Sequence, residues 1–349
     1  MKILKVSYWI LGVCLCAVAC YHGEENHRDI RRNIEFTAVV SHTTKSIIAT
    51  TSYPQDRPFV VDALLSQSGT SGEPASYLFR AETASYDSDM ASWKTAEDYR
   101  WPESGILEFY AYSPASQEAT IDSENGVVAD IAIKDMEDAQ NDFCYAYSSE
   151  HCSGHPVTVP LVFSHALTQV AFKVKLQRNY ESRVDTGDLL QENAFTVSLD
   201  SMRVRGLLTE GHFVQTPFSW TPVEGSYRDF WLYRGDPIVM GYDSLGLPAS
   251  SYVATILAIP QELSDRAILD EWHTVRVHST LTNRLTGDVT VTEYELPLSA
   301  SKPLLSVSRR WIAENKYTYL FTLGLSKETG QLAATRTDWT ESKEKFIDE

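Results

Sequence analysis

The feature that most limits how this chain can fold is a two-residue alternation of apolar and polar side chains, repeated along much of its length. From Gln169 to Leu176 the even positions Val170, Phe172, Val174 and Leu176 are apolar, with Lys173 and Lys175 between them. Lys316 to Leu325 does the same through Tyr317, Tyr319, Phe321, Leu323 and Leu325, and Leu107 to Tyr112 is a third case. Successive strand residues point to opposite faces, so this period describes a ribbon with one face on a core. Thr274 to Thr282 and Val289 to Leu298 flank a turn-like stretch containing Gly287, which predicts a hairpin. A slip of parity between Val291 and Tyr294 predicts a bulge in its second arm. With few helical periods anywhere, the pattern predicts an all-β chain of antiparallel sandwiches.

The first residues carry a different signal. Lys2 and Lys5 precede an apolar run, Val6 to Val18, that has the length of a signal-peptide core and is too short to span a bilayer as a helix. It ends in Ala17-Val18-Ala19-Cys20, small residues directly before a cysteine. This resembles a bacterial lipoprotein box, with Ala17 where such boxes carry Leu; lipidation of Cys20 and ordinary cleavage after Ala19 are the two outcomes. Residues 1–19 are thus a leader. The remainder is long enough for two domains, with the boundary placed near Pro160: 20–160 and 161–349.

Net charge is −17 for the whole chain, and loss of Lys2 and Lys5 with the leader makes the rest more acidic. Such a surface argues against nucleic-acid binding. Apart from Cys20, only Cys144 and Cys152 lie beyond the leader, and they read either as a small-loop disulfide of an exported protein or as two buried thiols. Catalytic patterns are missing: there is no phosphate-binding Gly-rich loop with Lys, no His-Glu-x-x-His and no Gly-x-Ser-x-Gly. His151, Cys152 and His155 are too close together, and lack a second ligand pair, for a metal site. Asp122 to Gly126 reads as a hairpin turn and not a calcium loop. No enzyme, metal or cofactor is therefore expected. Trp220, Trp231, Trp311 and Trp339 lie in or beside strand-like runs and are expected in the core. Trp93, Trp101 and Trp272 are less clearly placed, and they leave open a glycan-binding surface built on exposed rings.

Several pieces, in order, resemble the fimbrillin family of Bacteroidota in its Mfa-like branch. They are Trp101-Pro102 before Leu107 to Pro114, Asn141 to Ala146, Val157 to Lys173 with Phe163-Ser164-His165-Ala166, Ile259-Pro260-Gln261, Trp311 to Leu323, and Asp338-Trp339. The resemblance implies two β-sandwich domains of transthyretin-like topology in an exported, lipid-anchored protein of the outer membrane and fimbrium. Its partners would be other fimbrial subunits engaged by strand exchange, with host or bacterial surface ligands beyond them. His165, a hallmark in that resemblance, is expected to hydrogen-bond within the fold.

In the family, removal of an N-terminal strand after an Arg opens a groove that a strand of the next subunit fills. Ile34 to Val40 alternates well enough to be that strand. The candidate cleavage residues are Arg32, which precedes it, Lys45 in Thr43-Thr44-Lys45-Ser46, and Arg57; only the last two would release it. Residues after Trp339 carry just Phe346 and Ile347 among charges, a poor donor segment. Both departures favour an anchor or accessory subunit over a bulk stalk subunit.

Overall fold

The computed structural model describes residues 33–43, 48–66, 75–134, 140–152, 158–176, 195–241, 251–263, 273–284, 286–300, 302–303, 309–324 and 330–339. Cys20, Arg32, Lys45, His155, Trp272 and the chain after Trp339 lie outside them, as do the 177–194 segment and most of the 66–76 loop. The first strands are β1 (Phe36–Thr43), β2 (Ile48–Ser52), β3 (Phe59–Ser66), β4 (Ser76–Asp87), β5 (Ser92–Thr95), β6 (Ile106–Ser113), β7 (Thr120–Asp122) and β8 (Gly126–Ala132). Next come β9 (Cys144–His151), β10 (Val159–His165), β11 (Thr168–Leu176), β12 (Phe195–Leu208), β13 (Glu210–Val214) and β14 (Ser219–Pro222). The last are β15 (Tyr227–Val239), β16 (Ser251–Ala258), β17 (Thr274–Asn283), β18 (Val289–Pro297), β19 (Lys302–Pro303), β20 (Asn315–Leu323) and β21 (Gln331–Asp338). Among the described residues the only helical element is the 3-10 turn Leu298–Ala300, so the all-β expectation holds.

The first sheet closes on itself. Around the ring the order is β1-β10-β9-β6-β3-β4-β5 and back to β1, with β2 hydrogen-bonded to the second half of β1. Phe36, Phe59, Trp93, Phe109 and Phe163 fill the interior. β3 is buried on both faces: Phe59, Val61 and Ala63 point inward, while Val60 and Leu64 lie under a second sheet. That four-stranded sheet, β14-β13-β8-β7, covers Tyr110 and Tyr112 of β6 with Val127, Ala129, Ile131 and Phe213. It joins residues 120–132 to 210–222, so the two halves of the sequence share a core.

The rest is a sandwich. A five-stranded sheet, β16-β11-β20-β21-β19, faces a four-stranded one, β15-β12-β17-β18, across Phe172, Tyr319, Phe321, Val204, Val277 and Tyr294. The two clearest alternations in the sequence, β11 and β20, lie side by side and parallel, in register from Gln169↔Lys316 to Leu176↔Leu323.

Two expectations change. The first half is a closed barrel, and β1–β10, β11–β20 and β19–β21 are parallel pairs. Pro160 lies inside β10, and the chain passes from barrel to sandwich a few residues later, after His165. Pro160 fits there because odd residues of β10 turn their N–H groups to β1, as Val159 does to Glu35 at 2.8 Å. The N–H that Pro160 lacks would point to the other side, where β9 pairs only with Ser164 and His165. The bulge in β18 is absent, since its register with β17 runs unbroken from Thr282↔Val289 to Thr274↔Pro297. Parity slips because Val289 and Val291 face outward while Tyr294 faces the core.

Candidate functional site

The barrel depends on one seam. β1 is its N-terminal stave, held to β10 through five parallel register pairs, Phe36↔Val159 to Val40↔Phe163. Its link to β5 is a single pair, Phe36↔Trp93. Alternation decides its orientation: Ile34 and Phe36 are buried, and Ala38 and Val40 pack against the same interior. The Phe36 ring meets Phe109 and Phe59 edge-on, at 5.6 and 6.2 Å between centroids. Ile34 N–H donates to Tyr99 O at 2.7 Å, and the Ser41 and Ser164 hydroxyls are 3.1 Å apart across the seam. Tyr53, just after β2, covers the end with its ring on Phe163 and Trp93 and its hydroxyl bonded to Ser113. Burial pushes this phenol up to about 12, against the opposing pull of the Ser113 hydrogen bond. Chemically the seam is a row of main-chain hydrogen bonds and apolar pockets, which is what a complementing strand recognises.

Of the cleavage candidates only Arg57 lies among the described residues. It is exposed in the turn between β2 and β3, with its N–H on Pro54 O at 3.2 Å. The bond that follows it leads to Pro58, which has no N–H and a fixed φ. Such a prolyl bond is a poor substrate for Arg-specific proteolysis, a point readable from the sequence.

Behind the seam lies a polar junction. Cys144 opens β9 and Cys152 follows its end, so an eight-residue strand holds them roughly 26 Å apart. A disulfide needs Cα atoms within about 7 Å, and both residues are buried free thiols: the disulfide alternative is excluded by the extended strand between them. Cys144 sits opposite His165 across the β9–β10 pair. His165 Nδ1 lies 2.7 Å from Asp142 Oδ2 and 3.5 Å from Cys144 Sγ, and Sγ is 3.4 Å from the same carboxylate oxygen. The Trp339 ring, one residue past β21, stacks on His165 at 4.0 Å and 2°. His165 thus bonds within the fold, as expected, and ties the barrel to the last strand of the sandwich. Burial, followed by the charge and hydrogen bond of Asp142, raises the Cys144 thiol well above its ordinary range, so it is no nucleophile at neutral pH. Nearby, the Trp220 indole donates to Ala166 O at 3.1 Å, and Leu208 N–H donates to Gln261 Oε1 at 3.1 Å.

The tryptophans answer the sequence expectation unevenly: Trp311 is core, and Trp220 and Trp339 pack against a core cluster, as expected. Trp93 and Trp101 are barrel core, so neither offers a ring to a sugar. Trp231, expected in the core, is 42 % exposed on the outer face of β15, between Arg203 and Arg234 at 5.4 and 5.7 Å from its ring centre. Tyr227 to Leu232 does not alternate cleanly, and that was the available warning. The open edge of β18 was also missed: Val289 and Val291 are 61 and 66 % exposed on a strand that, among the described residues, pairs on one side only.

A barrel closed by one N-terminal strand and fused to a sandwich with an exposed edge defines an all-β protein organised around strand seams. The chain belongs to the fimbrillin-like family, whose profile matches residues 61–339, and that membership implies a cell-surface protein. A fimbrial protein from Bacteroides vulgatus has a similar fold, with a TM-score of 0.61 at 15% identity over 88% of this chain and 100% of that one. A structure described as a cell-adhesion protein from Bacteroides uniformis aligns at TM-score 0.48 and 16% identity, over 90% of this chain and 99% of that one. The fimbrial anchor protein Mfa2 from Porphyromonas gingivalis aligns at 0.34 and 10% identity, over 88% and 98%. At TM-scores below 0.5 these last two have no bearing on the fold. No curated protein sequence matches the chain.

Proposed function

We propose that the protein is a structural, non-enzymatic fimbrial component, an anchor or accessory subunit held on the outer membrane by acyl chains at Cys20. The observation that carries this reading is β1. Phe36 is fully buried in an integral stave of the barrel, and the one described candidate for releasing it, Arg57, precedes a proline. A subunit that keeps β1 keeps its groove filled and cannot accept a donor strand there. Engagement of neighbouring subunits then falls to a sheet edge, and β18 supports that role as the terminal strand of its sheet among the described residues, with Val289 and Val291 exposed along it.

Intact mass and N-terminal peptide mapping of the protein recovered from outer membranes test this. An acylated first residue at Cys20, with Phe36 to Thr43 still present, is the expected result. A lipid-free N-terminus beyond Val40 would mean that β1 is removed, and polymerisation through the vacated groove would replace the anchor reading.

A further inference from the structure

The cluster behind the barrel seam has a geometry that hydrogen bonding alone leaves incomplete. Asp142, Cys144 and His165 present a carboxylate oxygen, a thiol sulfur and a ring nitrogen, all within 4.8 Å of one another. Zinc bound tetrahedrally by such donors has ligand-to-ligand edges of roughly 3.4–3.6 Å, given its usual bond lengths. The Sγ···Nδ1 and Sγ···Oδ2 separations, 3.5 and 3.4 Å, already match those edges. Only the Nδ1···Oδ2 edge, at 2.7 Å, is short, because a shared proton draws these two atoms together. The second Asp142 oxygen, Oδ1, is buried and has no hydrogen-bond partner, an uncommon state for a carboxylate oxygen.

The geometry points to a divalent zinc site at Asp142, Cys144 and His165, with the metal taking the place of the proton now held between His165 and Asp142. The displaced Nδ1 proton passes to Nε2 of the same ring, and Cys144 binds as thiolate, releasing its own proton to solvent. His165 binds through Nδ1, and the fourth position falls to Asp142 Oδ1 or to a water. The mixed sulfur, nitrogen and oxygen set suits zinc better than calcium or magnesium, which take oxygen alone. Two of the three ligands are locked by secondary structure, as a cross-strand pair at the ends of β9 and β10, so little chain ordering is needed on binding. With Trp339 stacked on the His165 ring, the metal would fasten the barrel to the end of the sandwich as a structural clamp. The sequence reading had dismissed metal because it considered His151, Cys152 and His155; the site uses the other cysteine, and the strand pairing supplies its histidine.

The test uses the purified full-length protein, stripped of metal by chelation and titrated under reducing conditions with cobalt(II) as a spectroscopic stand-in for zinc. The expected result is one equivalent bound, with a thiolate-to-cobalt charge-transfer band in the near ultraviolet that zinc abolishes by displacement. Zinc at a hundredfold excess over its Kd should raise Tm by about 5 °C. Cys144→Val, which keeps the buried site filled, should lose both the band and the zinc shift while retaining the cooperative unfolding of the metal-free protein. Cys152→Ser should keep both. No band on the folded wild-type protein would overturn the proposal, as would a band that survives Cys144→Val.

Discussion

The barrel and the sandwich solve the same problem, burying one face of an alternating strand, in opposite ways. The barrel pairs its staves into a closed ring, leaving β2 as the terminal strand of that sheet, and its aromatic interior is dense, with Tyr53 and Phe59 each in ring contact with Trp93 and Phe163. The cost is that closure hangs on β1, a strand near the chain's beginning that touches β5 through one residue pair. The sandwich is sewn by long registers, such as the eight pairs between β11 and β20, yet it leaves β18 open. One unit is a closed ring that hangs on a single N-terminal stave; the other is firmly stitched but offers an edge. For a protein that works by strand pairing, these are two different handles.

The strongest challenge to this contrast is a matched pair of cavities. Phe36→Ala and Phe321→Ala should each cost about 3–5 kcal/mol, as large-to-small changes at fully buried aromatics do. Hydrogen exchange read peptide by peptide should show protection lost in β10 and β5 for the first and in β11 and β21 for the second. Equal loss throughout both units in either variant would show that the shared core over β3 and β6 makes them one cooperative body.

A smaller effect separates them by charge. Glu295, on the outer face of the sandwich, receives hydrogen bonds from Arg276 at 2.6 Å, Arg205 at 2.8 Å and Thr274 at 3.0 Å. Partial burial works against its charged form, but these partners outweigh it and hold its carboxyl below the usual range. Its contribution is therefore present above the ordinary glutamate pKa and is lost as pH falls through the lower folded value. Glu295→Gln should cost about 1–2 kcal/mol at neutral pH and leave a flatter acid limb in urea titrations.

Asp62 in the barrel has the opposite sign. Burial raises its carboxyl, against the pull of the Ala81 N–H at 2.6 Å and of Arg80. The folded state thus holds this proton more tightly than the unfolded chain, and stability falls as pH rises from the ordinary aspartate value through the raised one. Asp62→Asn keeps the oxygen that Ala81 requires, so it should raise the urea midpoint at neutral pH and remove that slope. A lowered midpoint would mean that the charge, not the oxygen, is what the β4 bulge at Ala81 needs.

The least change in stability should come from the edge. Val291→Lys touches a 66 % exposed side chain, so stability should move by under about 0.5 kcal/mol. A lysine on an edge strand opposes strand addition, so incorporation into fimbriae should drop, measured by the amount recovered with sheared fibres. Unchanged incorporation would shift attention from β18 back to the seam.

Legibility varied along the chain for physical reasons. β11 and the β17–β18 hairpin were readable because polar residues on the less buried face alternate with core residues, while β6 and β20, covered on most of both faces, were readable because large apolar residues still recur at every second position. β3 was not singled out, because it is buried on both faces and its run Phe59-Val60-Val61 shows no alternation. His165 announced itself through the Phe163-Ser164-His165-Ala166 motif, but its partners did not: Asp142 lies 23 residues away and Trp339 comes from the last strand. The tryptophans misled because a strand has two faces, and being in a strand does not tell which face a ring occupies.

The sequence by itself determined that this is an all-β chain, where most of its best strands lie, and which family it belongs with, because alternation and short motifs are local properties. Only the tertiary structure decided that the first sheet closes, that β13 crosses to pair with β8, that Cys144 faces His165 instead of Cys152, and that Trp231 is outside while Trp93 is inside. Those outcomes depend on which strands become neighbours, and neighbours are chosen by packing energies summed over residues far apart in sequence.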